Sequence, residues 1–222
     1  MKQLKDNSLS IVFGLLLLIT LAAQSVVGLA DYNNSARTDG LAEIAWWRYV
    51  TSSSFAVDVA ENWQSEYLQF TLYILLTVWL VQRGSSESKP PGHAGLDSDR
   101  EQRVGAFAAP DSPAPVRRGG GWARLYSASL TVVMAAIFVL SWAAQAVTGR
   151  VAFNEQRLRD QLDPLSLAGY LSSPDFWVRT LQNWQSELLA VGSMAIFAVF
   201  LRQRGSPESK PVGSPHSETP PS

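Results

Sequence analysis

The sequence repeats itself at one fixed offset. Asn62-Trp63-Gln64-Ser65-Glu66 returns 121 residues later as Asn183-Trp184-Gln185-Ser186-Glu187. The same offset carries Ala22-Ala23-Gln24 onto Ala143-Ala144-Gln145 and Gly28 onto Gly149. It also carries Arg83-Gly84-Ser85 onto Arg204-Gly205-Ser206, and Glu87-Ser88-Lys89-Pro90 onto Glu208-Ser209-Lys210-Pro211. Asn33, Tyr49 and Phe55 meet Asn154, Tyr170 and Phe176 in the same register. A gapless offset of this kind is the mark of a tandem duplication of a complete structural unit.

Each copy contains two long apolar runs. Segments near 9–28, 62–82, 129–149 and 182–201 are almost free of charge. Each holds about 20 residues, enough to cross about 30 Å of hydrocarbon as a helix. The expected fold is therefore an all-α membrane protein, with four transmembrane helices arranged as two parallel tandem helical-hairpin repeats. Residues 1–90 form the first two-helix repeat, with helices near 9–28 and 55–82. Residues 122–211 form the second, with helices near 127–149 and 174–202. The stretch 91–121 reads as a disordered cytoplasmic linker and 212–222 as a disordered tail, because both are rich in Ser, Pro and Gly and lack a periodic apolar face. Lys2, Lys5 and the apolar run up to Gly28-Leu29-Ala30 imitate a cleavable signal peptide. The counterpart 129–149 is internal, so the first helix is expected to be retained.

Charge sets the orientation. Lys2, Lys5, Arg83, Lys89, Arg117, Arg118, Arg124, Arg202, Arg204 and Lys210 flank one set of helix ends. The opposite loop of copy one is mainly acidic, whereas that of copy two carries Arg150, Arg157, Arg159 and Arg179. The balance places both termini and the linker in the cytoplasm. Net charge is −1, which speaks against a nucleic-acid partner. The chain has no cysteine, and His93 and His216 lie in Pro/Gly/Ser-rich stretches, so no metal or other cofactor is expected. Ser173-Pro174-Asp175 offers an N-cap to the second helix of copy two, and Ser54 the same to copy one. The connecting loops have two readings: short amphipathic pieces on the bilayer surface, or loops packed onto the helices.

The polar residues near these helices form one candidate site. The 14 or so apolar residues after Glu187 reach only about 21 Å, so the pentapeptides must enter the membrane. Asn62, Ser65 and Glu66 share a helix face with Gln69 and Tyr73, and Asn183, Ser186 and Glu187 repeat its first part. The first helices carry Gln24 and Gln145 at a matching depth. A ring of Gln24, Asn62, Ser65, Glu66, Gln145, Asn183, Ser186 and Glu187 in the outer leaflet follows. Interhelical hydrogen bonding is the favoured role for such residues. A cation or proton site on the paired glutamates is the alternative. No nucleophile or histidine accompanies the acids, so an enzyme is not expected.

The Arg-Gly-Ser-x-Glu-Ser-Lys-Pro segments also have two readings. Glycine ends the helix while the charges hold it at the headgroups, or the segment docks a partner. The Asn-Trp-Gln-Ser-Glu motif, an apolar helix and this ending together resemble a family of small bacterial membrane proteins known only as a domain of unknown function. The resemblance covers both copies. It implies a multi-pass membrane protein and carries no activity or site residues. The expected function is a structural or partner-binding protein of the bacterial plasma membrane, with the lipid bilayer, a protein partner or a second copy as its contacts. The alternative is a small transporter or channel using Glu66 and Glu187.

Overall fold

Every regular element among residues 2–220, the part of the chain described by the computed structural model, is helical. The order is α1 (Lys2–Asp6), α2 (Ser8–Thr38), α3 (Trp46–Val50), α4 (Ser53–Trp79), α5 (Ala114–Arg118), α6 (Gly120–Ser127), α7 (Ser129–Arg159), α8 (Leu167–Leu171) and α9 (Pro174–Phe200). One 3-10 turn, Gly105–Phe107, interrupts the segment between α4 and α5. The bounds of α2, α3 and α4 recur 121 residues later in α7, α8 and α9, to the residue.

Helices α2 and α7 each run for 31 residues, about ten beyond the apolar stretches that announced them. At the helical rise this is about 46 Å, longer than a hydrocarbon core is thick. The extensions, Leu29–Thr38 and Arg150–Arg159, are polar and stop in the same way. Leu41 N–H donates to the Ala36 carbonyl (2.7 Å) and Gly40 N–H to that of Arg37 (3.0 Å). Leu162 and Gln161 repeat the pair onto Arg157 (2.8 Å) and Leu158 (3.1 Å). Both are Schellman stops, with the turning residue at φ +72° in Gly40 and +58° in Gln161.

Only α2 and α7 are apolar enough to cross a membrane by length and composition, with mean hydropathies of 2.3 and 2.0. The expectation of four such spans is corrected to two on this measure. The cause is local. Asp58, Glu61 and the pentapeptide dilute α4, and Asp175, Arg179 and the second pentapeptide dilute α9. The apolar side chains of α2 and α7 point outward. Only 6 % of the spanning window of α2 and 17 % of that of α7 is buried.

The chain forms two compact units that cut across the duplicated copies. One joins residues up to Ala60 with Ala143–Phe176. The other joins Glu61–Trp142 with the chain from Trp177 onward.

In the first unit, two tyrosines form the core. Tyr49 and Tyr170 are 3 % and 0 % exposed. Tyr49 packs on Tyr32 and Phe55, and Tyr170 on Phe153 and Phe176, at centroid separations of 5.5–5.8 Å. Burial, then the carboxylates of Asp58 and Asp31, hold the Tyr49 phenol above its ordinary range. Gly28 and Gly149 admit the tyrosine hydroxyls. A Cβ at Gly149 would meet Tyr170 Oη at 2.5 Å, and one at Gly28 would collide with Tyr49 Oη. An asparagine brace fixes each loop. Asn33 Nδ2 donates to the Ile44 carbonyl (3.0 Å) and Ile44 N–H to Asn33 Oδ1 (2.9 Å). Asn154 and Leu165 make the same pair at 2.9 and 2.8 Å. The loops are anchored through the α3 and α8 tyrosines, while Trp46, Trp47, Leu162 and Leu167 stay exposed. The cap of α4 is Ser52 rather than Ser54, which lies inside the helix: Ser52 Oγ accepts Phe55 N–H at 3.2 Å. Ser173 Oγ accepts Phe176 N–H at 3.5 Å, as expected for copy two.

In the second unit, the Arg-Gly-Ser-x-Glu-Ser-Lys segments fold as twin loops after α4 and α9. Gln82 N–H donates to Ser88 Oγ (2.7 Å) and Gln203 N–H to Ser209 Oγ (2.9 Å). Glu87 N–H donates to Ser85 Oγ (3.1 Å) and Glu208 N–H to Ser206 Oγ (3.2 Å). Gly84 and Gly205 turn each loop at φ +86° and +85°. Each lysine then reaches forward six residues: Lys89 Nζ to the Gly95 carbonyl (2.8 Å), Lys210 Nζ to that of His216 (3.1 Å). That residue in turn covers the end of the helix. Gly95 N–H donates to the Val78 carbonyl (2.7 Å), and His216 Nδ1 lies 3.1 Å from the Val199 carbonyl.

Candidate functional site

The inward face of α4 is set by small and apolar residues at helical spacing. Val57, Ala60, Gln64 and Thr71 are all buried. That register buries Ser65 as well and turns Asn62 and Glu66 outward, where both are exposed. The pentapeptide's buried amide is Gln64, at 0 % exposure. On α9 the same five residues sit differently. Asn183 and Glu187 are half-buried, while Gln185 and Ser186 are exposed. The two copies of the motif therefore occupy unequal environments.

Within the second unit, α4 and α9 are joined through these residues. Trp184 Nε1–H donates to Gln64 Oε1 at 2.7 Å. One turn earlier, Arg179 Nη1 donates to Glu61 Oε2 at 3.1 Å. The partly buried ion pair lies one turn from the indole–amide bond on α4, where Glu61 and Gln64 are three residues apart. An aromatic cluster from α7 and α9 stands behind them. Trp142 stacks on Phe138 at 5.8 Å and meets Trp177 edge-on at 6.3 Å and Trp184 at 5.7 Å. Its Nε1–H points at Thr180 Oγ1, 3.4 Å away on a fully buried side chain. Asn183 Nδ2 donates back to the Arg179 carbonyl (2.8 Å).

Gln24 and Gln145 belong to the first unit. Gln145 is fully buried and Gln24 half-buried. Beside Gln24, Ser25 accepts Trp46 Nε1–H (3.0 Å) and donates to the Ala22 carbonyl (2.7 Å). The same unit holds a polar cluster between α2 and α7. Tyr32 Oη donates to Glu155 Oε1 (2.7 Å). Arg159 donates to Glu155 Oε1 (2.9 Å) and Asp39 Oδ2 (3.1 Å), with its guanidinium over the Tyr32 ring. At the repeat offset the partners are Phe153, Asn34, Thr38 and Asp160, so the clasp exists once.

Among the described residues no group of three or more His, Asp or Glu side chains converges. The arrangement supplies helix-to-helix hydrogen bonds and one interhelical ion pair. From residues 1 to 221 the chain matches the family described as a domain of unknown function, DUF6766. It belongs to the DUF6766 family. No curated protein and no solved structure matches it. Sequence reasoning on this DUF6766 chain missed Gln64, the Glu61–Arg179 pair and the tryptophan cluster. The signal was present in one form: an acid and a base at complementary places ahead of the two pentapeptides.

Proposed function

We propose that the protein is an integral membrane protein of the bacterial plasma membrane, built as two parallel tandem hairpins. Its role is structural or partner-binding, with both termini in the cytoplasm. The observation that carries this is the outward-facing apolar surface of α2 and α7. Leu15, Leu16, Leu17, Leu18 and Ile19 are all exposed on α2, as are Val132, Val133, Val139 and Leu140 on α7. Exposed apolar bands of this length mark surfaces that a membrane or another protein covers, and their length matches a bilayer core.

Helices α4 and α9 complete the hairpins in this proposal. Tyr67–Trp79 and Leu188–Phe200 each extend about 20 Å, less than the hydrocarbon thickness. The pentapeptides therefore enter the slab, and their side chains serve as ties between helices. A second reading, a small cation or proton pathway, draws on the acid that each pentapeptide carries, Glu66 and Glu187.

Reporter fusions test the topology. Fusions in 40–45 and 161–166 are expected on the outside, and fusions in 91–113 on the cytoplasmic side. Carbonate extraction should leave the protein in the membrane pellet. Release into the supernatant overturns the proposal. Glu66→Gln with Glu187→Gln should leave abundance and helical content unchanged. Flux in reconstituted vesicles that disappears in this variant would move the assignment to transport.

A further inference from the structure

We propose that the twin Arg-Gly-Ser-x-Glu-Ser-Lys-Pro loops form a peptide seat, and that residues 214–219 are a ligand bound to it in cis. The loop after α4 supplies Gly84. Its N–H donates to Thr219 Oγ1 at 2.7 Å, and any Cβ there would collide with the His216 carbonyl. Gly205 has the same φ, yet a Cβ on it would meet nothing within 4 Å. The turn alone therefore does not account for the tight approach at Gly84; the bound segment does.

The loop after α9 supplies cations. Lys210 is 2 % exposed, and its ammonium donates to the carbonyls of Pro215 (3.1 Å), His216 (3.1 Å) and Glu218 (2.9 Å). Arg202 Nη2 donates to the Ser214 carbonyl (3.1 Å). Charge-assisted bonds of this kind are the strong ones. Ser86 Oγ donates to the Glu208 carbonyl (2.9 Å) and ties the two loops together. The His216 ring packs on Phe200 at 5.4 Å.

Recognition is thus mostly of main chain. Four successive or near-successive carbonyls are held by two cations, with one ring and one hydroxyl read as side chains. This suits a Ser/Pro-containing peptide that turns as the tail does, where Glu218 N–H donates to the Pro215 carbonyl at 3.2 Å, with an aromatic or imidazole group and a hydroxyl three residues later. Lys89, by contrast, reaches only Gly95 and Asp97, and its loop carries the glycine face instead. The repeated motif is the receptor, and the tail is its built-in competitor. The seat does not depend on the helices spanning a bilayer.

The test uses a fluorescent peptide of residues 213–220 and the detergent-solubilised protein, with anisotropy as the readout. A chain ending at Val212 should bind the peptide. The full chain should bind it at least about tenfold more weakly, because a tethered occupant acts at an effective concentration near millimolar. Gly84→Val in the shortened chain should abolish binding. No binding to a shortened chain of unchanged helical circular dichroism, or equal binding to both chains, overturns the proposal. Hydrogen exchange on the full chain gives an independent readout. Lys210→Ala and Gly84→Val should each speed exchange within 214–219, and unchanged protection in both overturns it equally.

Discussion

At the scale of single residues, the two Schellman stops are the sharpest comparison the molecule offers. The hydrogen bonds are the same, but Gly40 turns one and Gln161 the other. A side chain at positive φ clashes with its own backbone, whereas glycine does not. Gln161→Gly should therefore stabilise the protein by about 0.5–1 kcal/mol, seen as a higher midpoint in thermal unfolding. A lower midpoint would mean that Gln161 makes compensating contacts. Gly28 and Gly149 show what sequence reasoning could and could not reach. Their recurrence at the repeat offset marked them as equivalent positions. It did not show that the approaching group is a tyrosine hydroxyl, because Tyr49 and Tyr170 lie about 21 residues further along the chain.

At the scale of elements, the asparagine braces decide where each long helix hands over to its loop. Asn154→Ala removes both bonds to Leu165 and leaves a part-buried N–H and carbonyl without them. The cost should be about 1–3 kcal/mol, read as faster proteolysis between 160 and 166. Asn154→Asp keeps the acceptor for Leu165 N–H and should cost less. The loop after α4 has a pH dependence of its own. The Lys89 ammonium, hydrogen-bonded to Asp97, holds that carboxyl below its usual range. A lowered carboxyl pKa adds stability that is present above the unfolded value, about 3.9, and is lost as pH falls through the folded one. Acidification below about pH 4 should release Asp97 and speed exchange of the Gly95 amide; Lys89→Ala should return the Asp97 titration to its ordinary position. The helices themselves were legible as apolar runs. Their polar extensions were not, because hydropathy ends where the lipid would end and a helix ends where its carbonyls are capped. The twin loops were hidden for a different reason. Ser, Gly and Pro signal disorder by composition, yet here serine hydroxyls satisfy the loop's backbone amides and lysines gather its carbonyls.

At the scale of the whole molecule, the offset of 121 carries the bounds of α2, α3 and α4 onto those of α7, α8 and α9. It did not predict where the copies differ, and the differences carry much of the specific bonding. Gln64 is buried while Gln185 is exposed; Trp142 and Trp177 stand where copy one has Leu21 and Ala56. The Tyr32–Glu155–Arg159–Asp39 clasp draws its members from both copies. Arg159 is 17 % exposed as a side chain, so Arg159→Ala leaves Glu155 and Asp39 short of their cation. A loss of up to about 1 kcal/mol is expected, because both carboxylates are more than a third exposed, with a smaller loss for Tyr32→Phe, which imports the counterpart residue Phe153. Calorimetry on the two variants checks the order.

That clasp bears on how the gene could be rearranged. A chimera made of two first halves would place asparagine and threonine opposite Tyr32, and one made of two second halves would face Glu155 and Arg159 with phenylalanine. Neither symmetrical product could fasten its long helices as the natural chain does, so the two halves are complementary and not interchangeable.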